Sequence, residues 1–155
     1  MRHRPRPLRA PLSAVLAAPL LVSASPPAQQ LRVRVEVQVT GLRSDKGIVR
    51  ACMTSLAGHF PDCSDDSGAY SASVASGEPL TIVFPAVVPG EYAIAVLHDE
   101  NGNGKADRLL GTLPREGFGF SRDARLRMGP PRFSDAAFEV GSRSVHQAIR
   151  MRYIF

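Results

Sequence analysis

The sequence predicts an all-β fold, a single antiparallel β-sandwich of about seven strands. Three observations predict it. Residues 31–40 alternate strictly, with Leu31, Val33, Val35, Val37 and Val39 against Arg32, Arg34, Glu36, Gln38 and Thr40. That two-residue period marks a strand with one face buried. Residues 91–98 are apolar at both phases, Tyr92, Ile94 and Val96 on one face and Ala93, Ala95 and Leu97 on the other, as in a strand covered on both sides. Finally, no stretch carries the periodicity of an amphipathic helix of ordinary length. An eight-stranded barrel is the alternative closure.

Residues 1–24 have the build of a secretory signal peptide. Arg2, Arg4, Arg6 and Arg9 precede the apolar run Leu12 to Val22, and Val22-Ser23-Ala24 places small residues where a signal peptidase cuts. Ala28 is a second-choice site. The apolar run is about half of the roughly 20 residues that span a bilayer, which argues against an uncleaved anchor. There is no Arg-Arg pair for a twin-arginine signal, and no Cys after the run to carry a lipid. Residues 25–30 read as a short linker and 31–155 as the sandwich. Taking the leader's four arginines from the 19 basic residues leaves 15 against 14 acidic, a net of +1. The basic character of the whole chain therefore belongs to export and gives no reason to expect nucleic acid. Roughly 130 residues remain, enough to bury a core, which without Trp rests on Val, Ile, Leu, Phe and Tyr.

After the first strand, Gly41 and Ser44-Asp45-Lys46-Gly47 make a turn, and Ile48 to Thr54 returns. Cys52 and Cys63 have ten residues between them. In an exported chain such a pair favours a disulfide, contributing on the order of 3 kcal/mol by loop closure. Two free buried thiols are the bland alternative, and a zinc site lacks a fourth ligand beyond His59. Ser64 to Gly68 is polar, Tyr70 to Val74 is a short strand, and Leu80 to Phe84 is a stronger one between two prolines. Pro89-Gly90 turns into the doubly apolar strand. From Asn101 to Phe133 no period survives. Ala136 to Val140 reads as a strand, and Val145 to Phe155 alternates again.

The sharpest motif starts at the end of the central strand: Asp99, Asn101, Asn103 and Asp107 repeat as Asp-x-Asn-x-Asn-Gly-x-x-Asp. Calcium takes six to eight oxygen ligands on a tightly curled loop. Those four side chains and the Lys105 carbonyl match the first nine positions of an EF-hand-type loop, but Leu110 stands where the bidentate Glu belongs. Glu100 or Glu116 would have to complete the set. Without an ion, the same residues make an ordinary turn, because Asn-Gly visits left-handed backbone cheaply and Asp and Asn close turns on their own backbone. The second feature is the run of Glu116, Phe118 and Phe120 followed by Arg122, Arg125 and Arg132. Arginines interleaved with Phe can hold an anionic group and cover apolar surface. The alternative is that Phe118, Phe120 and Phe133 close the open end of the core while the arginines are solvated.

No complete catalytic constellation is present. There is no nucleophile elbow, Ser121 lies in another context, and His98-Asp99 are strand neighbours whose side chains point to opposite faces. A hydrolase or lyase acting on glycan through acidic residues of the 99–116 loops is the runner-up to a binding module.

The run from Pro89 to Asp107, the Gly111 to Ser121 segment and the run Gly129-Pro130-Pro131-Arg132-Phe133-Ser134-Asp135-Ala136 together resemble the exported bacterial domain-of-unknown-function family 2141. The resemblance covers nearly all of the chain beyond the leader. It implies export and a small sandwich of the transthyretin (prealbumin) or carboxypeptidase-regulatory type, with an immunoglobulin-like build. It implies no catalytic residues. The expectation is thus a periplasmic or secreted envelope protein of a Gram-negative bacterium: non-enzymatic, not transmembrane once cleaved, with calcium as the one candidate cofactor, and partnered by a glycan, a lipid head group or a protein.

Overall fold

A computed structural model describes residues 30–104, 108–109, 113–126 and 129–154. The expected leader, most of the linker, Lys105 and Asp107 lie outside these residues. Ten strands form among the described residues: β1 (Val33–Thr40), β2 (Ile48–Thr54), β3 (Tyr70–Ala75), β4 (Leu80–Val87), β5 (Gly90–Asp99), the two-residue pair β6 (Arg108–Leu109) and β7 (Leu113–Pro114), β8 (Gly117–Phe120), β9 (Phe138–Val140) and β10 (Val145–Arg150). One helical turn, α1 (Phe133–Ala136), precedes β9.

The strands make a sandwich. One sheet is three-stranded in the order β10-β1-β4, and the larger runs β3-β2-β5-β8 with β9 also on β5. Pairing is antiparallel except between β1 and β10, which run parallel. The inward phase of β1, Val33 to Val39, packs with Ile82 and Phe84 of β4 and Ile149 of β10 against Val49 and Met53 of β2 and Ile94 and Val96 of β5. Each fully buried aliphatic side chain there contributes roughly 1.5–3 kcal/mol.

Several boundaries differ from the sequence expectation for identifiable reasons. β4 does not stop at Phe84 but carries Pro85 and reaches Val87. It lies at the sheet edge, and its register with β1 shifts between Val33 and Val35, so the missing N–H is accommodated at an irregularity. Ala136 belongs to α1, and the expected strand shrinks to Phe138–Val140. β10 ends at Arg150, after which the chain crosses between the sheets. Met151 N–H donates to the Thr40 carbonyl at 2.8 Å, and Arg152 and Phe118 exchange backbone hydrogen bonds at 2.8 and 3.0 Å.

That crossing explains β8, which lies in the stretch where no period was legible. Its outward residues, Phe118 and Phe120, alternate with glycines. A Cβ on Gly117 would stand 2.3 Å from the Tyr153 ring, and one on Gly119 would stand 2.6 Å from Ile149. Glycine is required there because residues 149–153 press directly on the strand.

Candidate functional site

Two groups of residues collect the chemistry-bearing side chains, and both hang on β5. The first is a polar cluster at its Asp99 end. His98 and Asp99 are fully buried and point to opposite faces. The His98 Nε2 lies 2.8 Å from the Lys46 carbonyl, which can only accept, so Nε2 carries the proton. Nδ1 then accepts from the Tyr153 hydroxyl at 2.7 Å, and that hydroxyl accepts from the Arg43 N–H at 3.2 Å. The Arg43 guanidinium stacks over the Tyr153 ring, 4.5 Å from its centroid, and pairs with Glu100. Ser44 Oγ donates to the other Glu100 oxygen at 2.6 Å. The Arg43 hydrogen bond, reinforced by Ser44, holds the Glu100 carboxyl down at about 2 from an ordinary 4.5. Glu116 is buried beside this group and adds to the field on Arg43.

Asp99 anchors the loop that follows it. Its Oδ2 accepts from Arg50 Nε at 2.9 Å and from Gly104 N–H at 2.8 Å, while Oδ1 accepts from Asn103 N–H at 3.1 Å. Asn103 N–H also reaches Asn101 Oδ1 at 3.0 Å. Burial alone would push the Asp99 carboxyl up, but Arg50 and the N–H groups of Gly104, Gly102 and Asn103 outweigh it and the net direction is down. Of the residues expected to hold calcium, Asp99, Asn101 and Asn103 are therefore brought together around Asp99, with the Arg50 guanidinium as the cation already at its carboxylate.

The second group covers the outer face of the larger sheet. Ala93 and Ala95 of β5 are small there, and Phe120 sits beside Ala95 in register. Phe120, Ala124 and Ala136 build a satellite core on them, flanked by half-buried Phe60, Phe118, Leu126 and Phe133. Phe60 meets Phe120 and Phe133 edge to face, with centroids 5.8 and 6.2 Å apart. These rings lie on the outside of a sheet and do not plug the open end of the main core as one sequence reading had them. Cys52 of β2 is joined to Cys63, with a Cα separation of 6.2 Å, as the cysteine spacing predicts. The bridge ties the segment bearing Phe60 to this face. A groove of about 390 Å³ opens between Ala57 and Phe60 on one side and Pro131, Arg132, Phe133 and Ser134 on the other.

Ser121 fastens the second group to β5. β5 changes neighbour along its length, from β9 at Gly90–Tyr92 to β8 at Ala95–His98. Ile94 N–H falls in the gap and donates to Ser121 Oγ at 2.9 Å, which in turn donates to the Ala136 carbonyl at 2.6 Å. Just beyond, Arg122 and Asp123 take positive φ values of 54° and 52°. Arg122 donates to the Ala137 carbonyl at 3.2 Å, and Asp123 pairs with Arg152 at 2.6 Å. Arg122, Arg125 and Arg132 are exposed.

The sequence reading missed Arg43, Ser44, Arg50 and Tyr153 as site residues. Arg43 and Glu100 are 57 positions apart, so no local spacing signals the pair. The Gly-Phe-Gly-Phe alternation was the one local clue to a strand pressed by another segment.

The class these features define is a small all-β sandwich with a satellite layer on one sheet. The chain belongs to the family described as "Uncharacterized protein conserved in bacteria (DUF2141)", whose sequence model matches residues 37–148. No curated protein and no solved structure matches it. No helix among the described residues is long and apolar enough to cross a membrane.

Proposed function

We propose that this protein is a non-enzymatic, exported envelope module that binds an anionic envelope component, a phosphorylated glycan or a lipid head group, on the satellite layer of its larger sheet. One observation carries the reading: the charged groups are divided between two regions. At the Asp99 end of β5, His98, Asp99 and Glu100 each have internal partners, so none stands ready to exchange a proton with a substrate. On the satellite layer, Arg125 and Arg132 are exposed and make no ion pair among the described residues. Arg132 lines the groove that Phe60 and Phe133 flank. Two consecutive non-glycine residues in left-handed backbone, Arg122 and Asp123, add a locally strained presentation of the kind found at binding loops.

Calcium enters this reading as a competitor of Arg50 for the Asp99 carboxylate. The hydrolase or lyase alternative gains nothing from a buried imidazole whose two nitrogens are both engaged. Co-sedimentation tests the proposal. The mature protein is expected to sediment with vesicles containing anionic phospholipid and not with neutral vesicles, and a phosphorylated polysaccharide added in solution competes if the glycan is the better ligand. Replacing Arg122, Arg125 and Arg132 with Ala should weaken retention roughly a hundredfold, at about 1 kcal/mol per arginine. Equal retention of that variant contradicts the assignment.

A further inference from the structure

The loop after β5 contains two Asn-Gly pairs in succession, Asn101-Gly102 and Asn103-Gly104, and all four residues are exposed. Asn-Gly is the sequence most prone to lose its side-chain amide, because glycine has no Cβ to hinder approach to the preceding side chain. The reaction starts when the glycine's backbone nitrogen gives up its proton and attacks the Asn Cγ. The new C–N bond closes a succinimide ring, and the side-chain nitrogen leaves as ammonia. Water then opens the ring at either carbonyl, leaving aspartate or isoaspartate. One water is consumed and one ammonia released, with no change of oxidation state. Each event adds a negative charge, and the isoaspartate product also lengthens the backbone by one carbon.

Both attacking nitrogens face one carboxylate, and the Gly104 nitrogen is hydrogen-bonded to it. Gly104 N–H donates to Asp99 Oδ2 at 2.8 Å, and the Gly102 N–H contributes to holding the Asp99 carboxyl down. An anion accepting these protons raises the cost of removing them. Asp99 is fully buried, so its hold does not depend on an exposed, mobile side chain. Asn101 Oδ1 is itself engaged by Asn103 N–H at 3.0 Å, which turns that amide into the wall of the loop.

We propose that Asn101 and Asn103 are a paired deamidation site kept unreacted by Asp99, which retains the amide protons of Gly102 and Gly104. The loop is chemically stable only while β5 and its Asp99 anchor are intact. Opening the loop exposes both pairs together, and the resulting carboxylates, placed next to Asp99, oppose its reclosure. Local opening becomes irreversible damage that marks the molecule.

Peptide mass spectrometry of the loop, with aspartate and isoaspartate products resolved, tests this on the full mature chain held at mildly alkaline pH, folded and in urea. The folded chain is expected to deamidate at both positions roughly ten- to hundredfold more slowly than the unfolded one, as a retained hydrogen bond to a charged group allows. Asp99→Asn, checked as folded by circular dichroism, should recover most of the unfolded rate. Arg50→Gln keeps the carboxylate and its N–H bonds, and should stay protected. Folded wild-type protein reacting at the urea rate overturns the proposal, as does folded D99N reacting no faster than wild type. If D99N does not fold, R50Q decides: reaction at the urea rate while folded would place the protection in the ion pair and overturn the role given to Asp99.

Discussion

The outer faces of the two sheets are built differently. On the three-stranded sheet, Glu36, Gln38, Thr81, His146 and Ala148 face solvent around a shallow hollow, with Arg34 and His146 both paired to Glu36. On the larger sheet, the same side of β5 carries Ala93, Ala95 and Leu97, and is roofed by Phe120, Ala124 and Ala136. The first face is a solvated wall that repeats the alternation of β1. The second is a platform: small residues leave room for a further layer, and a disulfide and a buried serine fasten that layer down. A sandwich needs only one apolar face per sheet. Covering the second face, at the cost of an irregular segment of chain, points to use of what that segment displays.

The comparison can be broken or sharpened by substitution. Cys52→Ser should cost about 3 kcal/mol by the loop-closure argument, read as a lower urea midpoint, and should raise binding of a hydrophobic dye as Phe60 leaves the satellite layer. If dye binding is unchanged, the bridge does not hold that layer. Gly119→Ala forces a Cβ against Ile149 and should destabilise by about 1–3 kcal/mol. A neutral result would mean that the 149–153 segment is not tightly seated. Phe133→Ala, at a half-buried position, should cost on the order of 1–2 kcal/mol, whereas Gln38→Ala on the bare face should stay within about 0.5 kcal/mol. Equal costs would erase the distinction between the faces.

The polar cluster gives an acid signature. Glu100 is held at about 2 in the folded protein against an ordinary 4.5. Its contribution to stability is fully present above about 4.5 and is lost as pH falls through about 2. Arg43→Gln removes the main cause, so urea midpoints of that variant should fall less steeply than wild type across the same window. Partial exposure of both side chains makes this the smallest of the effects.

Much of the sandwich was legible because burial leaves a period in the chain. β1 has one wet face and alternates, and β5 has none and is apolar throughout, so both could be read directly. β8 escaped because its inward residues are glycines, whose need is set by Tyr153 and Ile149 far along the sequence. α1 escaped because it is a single turn after a Pro-rich stretch, and it took Ala136 from the start of the strand expected there, leaving β9 as its remainder. For the candidate site, the oxygen pattern from Asp99 was visible, but its partner Arg50 lies on the neighbouring strand, and only pairing of β2 with β5 brings it near. The arginines after Ser121 were visible as a run. Their support on a satellite core was not, since Ala93 and Phe60 contribute to it from separate parts of the chain.

Hydrogen exchange of the mature protein, with and without vesicles of an anionic phospholipid, tests the division of labour most directly. The account predicts that added protection falls on 57–60, 122–126 and 131–134, while 43–46 and 98–100 exchange as before. Protection centred on 43–46 and 98–100, with the satellite layer unchanged, would contradict it.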